Sequence, residues 1–114
     1  MKTSSAKAKG RRAQQEVRNA ILEAFPALEP DDVKCAVMGE SGEDVKLSPA
    51  ARKKFPFSIE VKNVERLNIW QALTQAEANA DKYTPLLAFR RNRTKMYVAL
   101  PLAAFLELVA ERKS

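Results

Sequence analysis

Residues 58–63 read SIEVKN, a run in which apolar and charged side chains alternate. Alternation of period two marks a half-buried β-strand, so Ile59 and Val61 point to one face and Glu60 and Lys62 to the other. A carboxylate and an ammonium are then held roughly 7 Å apart along one face of the strand, over an opposite face that suits a core. Upstream, Asp44 follows Gly42 and Glu43 and opens the alternating segment VKLS. If Val45 and Leu47 face the core, Asp44, Lys46 and Ser48 share the other side. Pairing of the two segments would bring Asp44 within a few ångströms of Glu60, because neighbouring strands run ~4.8 Å apart. Two carboxylates and a lysine on one polar face make a workable Mg²⁺ site, since that ion takes oxygen ligands and is often held by one or two carboxylates with water and substrate phosphate. The lysine could then orient or deprotonate an attacking water and balance charge on phosphorus. Each residue also has a plainer reading: Asp beside glycines is common in turns, and an alternating charge pair can be a solvated strand edge.

What the chain lacks narrows the chemistry further. There is no histidine, which removes the usual general base, Ser-His triads and histidine metal sites. The one cysteine, Cys35, allows no internal disulfide or multi-cysteine zinc site, and its apolar surroundings suit a core position. Catalysis would rest on carboxylates, lysines, amides and a hard cation. The net charge of +6, from 20 Lys and Arg against 14 Asp and Glu, favours polyanionic partners, nucleic acid first. The cations cluster as Lys2, Lys7, Lys9, Arg11 and Arg12, then Arg52, Lys53 and Lys54, then Arg90, Arg91, Arg93 and Lys95. Three patches suit contact with phosphate more than reading of bases. With 114 residues, 46% apolar, the chain suits one domain, and no stretch approaches the ~20 apolar residues of a membrane span. The basic N-terminus leads into no apolar signal core, so a soluble, cytoplasmic protein is expected.

The elements that must position these residues follow from periodicity. Residues 1–9 read as a flexible basic tail and 10–114 as a single domain. Apolar positions Ala13, Val17, Ala20, Ile21 and Ala24 recur at helical spacing over 10–25, where Pro26 ends the run. VKCAVM is a strand, GESGED a turn, VKLS a short strand and PAARKKFP a basic connection that leads into SIEVKN. Residues 67–80 form an amphipathic helix, with Trp70 packed between helix and sheet. TPLLAF and KMYVAL are strands joined by the basic turn RRNRT, and Pro101 opens a last helix. Phe55 and Phe57, on either side of Pro56, anchor the strand. The order is α, three strands, α, two strands, α. This is an α/β fold, a mixed central sheet flanked by helices.

Asp44 followed by Glu60-Val61-Lys62, with fifteen residues between the carboxylates, resembles the PD-(D/E)xK nucleases of restriction-endonuclease-like fold. The αβββαβ core of that family, with a further strand and C-terminal helix, matches the order read above. The stretch GEDVKLSPAARKKFPFSIEVKN and the helix ERLNIWQALTQAEANA resemble small phage and prophage proteins, some grouped with Holliday junction resolvases. The resemblance implies a Mg²⁺-dependent endodeoxyribonuclease, Mn²⁺ being an expected substitute, in the cytoplasm of a bacterium or phage-infected host. Asp44 and Glu60 would hold the metal and Lys62 would work on water. Gln75 on the following helix would assist, with Gln71 four residues earlier as its alternative. Resolvase-like members add a glutamate from the first helix, here Glu16, with Gln14 and Gln15 beside it. Lys9, Arg11, Arg12, Arg52, Lys53, Lys54, Arg90, Arg91 and Arg93 would follow the DNA backbone. Branched DNA as substrate and a twofold homodimer are also implied. A non-catalytic recombination accessory protein that binds nucleic acid is the alternative, and an RNA-binding module is a third reading that no aromatic platform supports.

Overall fold

The computed structural model describes residues 3–37 and 39–112. Its elements are α1 (Thr3–Ala24), a 3₁₀ turn (Pro30–Asp32), β1 (Val33–Cys35), β2 (Val45–Leu47), α2 (Pro49–Lys54), β3 (Phe57–Asn63), α3 (Ile69–Ala78), β4 (Thr84–Arg90), β5 (Tyr97–Ala99) and α4 (Leu102–Arg112). The five strands form one sheet in sequence order. Only β3 and β4 run parallel; the other neighbours are antiparallel. Parallel neighbours need a long crossover, and α3 supplies it. The α/β architecture, a mixed sheet flanked by helices, is compatible with a restriction-endonuclease-like fold.

The alternation in β3 divides the core into two layers. Ile59 and Val61 join Ala13, Val17 and Ile21 of α1 on one side. Ser58 and Glu60 face α3 on the other, where Ala72 and Ala76 are small enough to let the helix lie close. Ile59 and Leu87 are fully buried on opposite faces, each contributing roughly 1.5–3 kcal/mol by its removal from water. Rings of Phe25, Phe55 and Phe57 stack at the end of the first layer, with centroids 6.1 and 4.7 Å apart, so these phenylalanines do anchor the strand.

Several expectations need correction. Residues 3–9 are the opening turns of α1 and not an irregular tail, and Lys9 Nζ reaches 3.6 Å from Glu65; Met1 and Lys2 lie outside the described residues. PAARKK is a helix, because Ser48 caps it by accepting the Ala51 N–H and Pro49 occupies the first turn. The strand over 33–38 stops at Cys35, and Met38 lies outside the described residues. Cys35 is half-buried at that strand end. Trp70 does not pack under α3: it is 77% exposed, since Ala72 and Ala76 take the sheet-facing positions. The basic turn between β4 and β5 is a hairpin connection, as the alternation on either side of it indicates.

Candidate active site

Asp44 is fixed entirely by backbone around it. Its carbonyl accepts the Ala36 N–H at 2.8 Å, and its N–H donates to the Ile59 carbonyl at 2.8 Å. Its side-chain Oδ2 accepts the Val61 N–H, also at 2.8 Å. The two β3 groups that hold it, Ile59 C=O and Val61 N–H, lie on either side of Glu60. The residue therefore extends the β2–β3 ladder by one step, with its carboxylate standing in for a backbone acceptor, and cannot drift from Glu60. The pairing of Val45 with Ile59 sets the same register.

Glu60 is only 3% exposed. Its Oε1 accepts from Asn79 Nδ2 at 3.3 Å, and the Asn79 carbonyl accepts the Ser58 hydroxyl at 3.2 Å. Asn79 closes α3, its N–H bonding back to Gln75 and Glu77 carbonyls. Sequence reading missed it; the signal was present in its spacing, since 71, 75 and 79 fall on one helical stripe. Gln71 and Gln75 are both exposed along that stripe, on the helix that covers Glu60.

Burial raises the pKa of Asp44, with the Val61 N–H and then Lys62 and Lys46 pulling it back. Burial also raises that of Glu60, the Asp44 charge adds to the rise, and the Asn79 hydrogen bond and Lys62 oppose it. The pair thus carries more negative charge than its surroundings stabilise. Among the described residues, Asp44 Oδ1 and Glu60 Oε2 accept no protein hydrogen bond, and no third acidic, cysteine or histidine side chain gathers with them. Two carboxylates with one oxygen each to offer, in a setting short of positive charge, fit a small hard cation that keeps water and phosphate as its other ligands.

Asp44 also borders a groove of about 250 Å³ against α1, together with Lys7, Gly10, Arg11 and Gln14. Of the α1 candidates, Gln14 is therefore the one beside Asp44. Glu16 faces elsewhere, its Oε1 3.2 Å from Arg90 Nε in an ion pair that lacks hydrogen-bond geometry. Gln15 lines a separate pocket with Arg18 and Lys34.

The basic residues divide into two groups. Arg52 is engaged within the fold: it pairs with Glu43, donates to the Phe57 carbonyl at 2.7 Å and stacks over Tyr83 at 4.1 Å. Lys9 and Arg90 likewise pair with Glu65 and Glu16. Arg11, Arg12, Lys53, Lys54, Arg91 and Arg93 are exposed.

A family model described as "Phage putative PDDEXK endonuclease" matches residues 5–113. The chain belongs to this family. The match runs from the first turn of α1 to the end of α4 and takes in every element but the first two residues of α1. No curated protein and no solved structure matches the chain. No helix among the described residues is long and apolar enough to cross a membrane.

Proposed function

We propose that this chain is a Mg²⁺-dependent endodeoxyribonuclease whose site is Asp44, Glu60 and Lys62. The observation that carries the reading is the way β3 backbone grips Asp44 on both sides of Glu60. That arrangement holds two buried like charges together, at a cost to the unloaded fold that a mere phosphate-binding surface would have no reason to bear. Asp44 Oδ1 and Glu60 Oε2 would hold the cation. When bound, the ion lowers the pKa of a coordinated water and stabilises charge on the phosphate. Lys62, on the face of β3 that carries Glu60, orients the attacking water and offsets charge as the water oxygen bonds to phosphorus and the P–O bond to the leaving group breaks. Asn79 holds the Glu60 carboxylate, and Gln75 assists from the same helical stripe. Gln14 borders the groove from α1, while Glu16 would have to leave Arg90 to reach the site.

The exposed cations of α1, α2 and the β4–β5 turn suit a phosphate backbone. Recognition by shape and charge favours branched DNA, as the resemblance to resolvases implies, with a phage-related role in recombination. The test is a cleavage panel of linear, flapped, single-stranded and four-way DNA with Mg²⁺, with Mn²⁺ and with chelator, alongside junction–duplex competition at near-physiological salt. Metal-dependent cutting with preference for the four-way form is expected. Equal binding and cutting of junction and duplex would remove the branched-DNA reading and leave the nuclease. No cutting of any substrate would favour the accessory DNA-binding protein.

A further inference from the structure

The face of the sheet that carries Glu60 and Lys62 continues across the neighbouring strands into a cleft lined by aromatic rings. Glu60 pairs with Leu87 and Lys62 with Phe89 across β3 and β4, and Phe89 pairs with Tyr97 across β4 and β5. Directly opposed residues share one face of a sheet, so Lys62, Phe89 and Tyr97 form a row with steps of ~4.8 Å between strands. The helix α3 covers this same face: Leu87 lines a cavity with its Leu73 and Ala76, and Phe89 lines another with its Ile69. The second cavity, of about 340 Å³, also takes in Tyr97, Leu67, Val64 and Arg91. The Phe89 and Tyr97 rings lie 6.3 Å apart and are tilted by 35°. Phe89 is half-buried and Tyr97 is 57% exposed, so the cleft offers aromatic surface that the fold itself does not cover. Sequence reading found no aromatic platform because these two rings are eight residues apart and meet only through strand pairing.

The β4–β5 turn that borders the cleft is held in one shape. Thr94 Oγ1 accepts the Arg91 N–H at 3.1 Å, and Glu65 Oε2 accepts the Asn92 N–H at 2.7 Å. The Glu65 carboxylate, the acidic group on the cleft wall, is thus engaged by the turn and by Lys9 at 3.6 Å. Arg91 and Arg93 of the same turn are exposed. Aromatic walls with cations at the rim are what a single nucleic-acid strand requires, since its bases stack on rings while its phosphates meet guanidinium groups. We infer that this cleft receives an unpaired nucleobase of the DNA strand beside the bond to be cut, stacked on Tyr97 and Phe89 with its flanking phosphate on Arg91. The inference rests on the proposed site at Asp44, Glu60 and Lys62, and it narrows the substrate of that site. A paired duplex presents such a base only at the cost of unstacking it, whereas forks, flaps and opened junctions carry one already. Stacking uses the π-face that every base has, so the cleft selects DNA by unpaired structure and not by sequence.

The test is binding of the full chain, in chelator so that nothing is cut, to three DNAs of equal length. These are a blunt duplex, a fork with unpaired thymines, and the same fork with abasic sites in its unpaired arms. Fluorescence anisotropy at near-physiological salt gives each Kd. The fork with bases should bind roughly 5- to 100-fold more tightly than the abasic fork, which keeps the same phosphates. Tyr97→Ala should remove that difference and leave the Kd values for duplex and abasic fork unchanged, and Tyr97→Trp should restore it; the exposure of Tyr97 lets the fold persist in both. Equal binding of the two forks by wild type overturns the inference. So does a Tyr97→Ala variant that keeps the preference, or one that loses affinity equally for all three DNAs, the mark of a merely structural aromatic pair. Cleavage in Mg²⁺ is scored separately. Base preference without cutting keeps the cleft and removes the nuclease, and cutting without base preference does the reverse.

Discussion

Glu60→Gln should make the metal-free protein more stable. Glu60 is 3% exposed, and both its burial and the neighbouring Asp44 charge raise its pKa above the ordinary 4.5. At a separation near the ~4.8 Å between strands and an effective dielectric of about 20, repulsion between the carboxylates is roughly 3 kcal/mol. Attraction to Lys62, about 7 Å along the strand, returns roughly 2 kcal/mol on the same basis. Glutamine removes the repulsion and the desolvation cost of the charge, and its amide oxygen can still accept from Asn79, though that bond weakens by about 1 kcal/mol without the charge. The net expectation is a gain of about 1–2 kcal/mol, or ~4–8 °C in Tm for a domain of this size. The sign with pH follows from linkage. A raised folded pKa means that wild type loses stability as pH rises from the ordinary 4.5 through the folded value, so the advantage of the variant appears across that window and vanishes in acid below it. Thermal unfolding in chelator at pH 7 and near pH 3.5 measures both. Added Mg²⁺ should raise the Tm of wild type and leave the variant unmoved. An unchanged or lower Tm for Glu60→Gln at pH 7 would refute the claim that the carboxylate pair is a cost to the unloaded fold.

Lys62→Ala should lower turnover by orders of magnitude while the fold persists, with Tm in chelator falling by about 8 °C as roughly 2 kcal/mol of attraction to Glu60 is lost; Lys62→Arg should restore little turnover, because the compact, titratable ammonium is what differs. Steady-state cleavage rates decide it, and activity that survives either change would make Lys62 a solvated strand residue. Arg52→Met should cost about 3 kcal/mol, roughly 12 °C in Tm, because it strands the buried Glu43 carboxylate and removes the donor to Phe57; a shift within 2–3 °C, about what a surface change produces, would contradict that structural role.

The strand that holds Glu60 and Lys62 was legible in six residues, because a period of two leaves little freedom of register, although the strand is buried on both faces and not on one as the charge alternation suggested. The proximity of Asp44 followed from pairing of adjacent strands alone. Asn79 shares the stripe of Gln71 and Gln75, but an asparagine at a helix end has a cap as its plain reading, and its contact with Glu60 depends on the crossover angle of α3. The same limit applies to Glu16, Arg52 and Arg90: their charges suggested a site or a phosphate track, but each found an intramolecular partner distant in sequence. α2 was hidden because a six-residue helix offers too few apolar positions to show a period, and its cap lies in Ser48, read as the end of a strand. Trp70 misled because large apolar side chains are usually buried, whereas the small Ala72 and Ala76 take the sheet-facing positions of α3.

The most direct measurement compares wild type with Asp44→Asn/Glu60→Gln for binding and cutting of the same DNA in Mg²⁺. Both substitutions keep an oxygen acceptor for the Val61 and Asn79 donors, so the fold should persist. Cleavage should vanish while DNA binding is retained or tightens, because two negative charges leave the neighbourhood of the phosphate. Cleavage undiminished in the double variant would place the active site elsewhere in the chain.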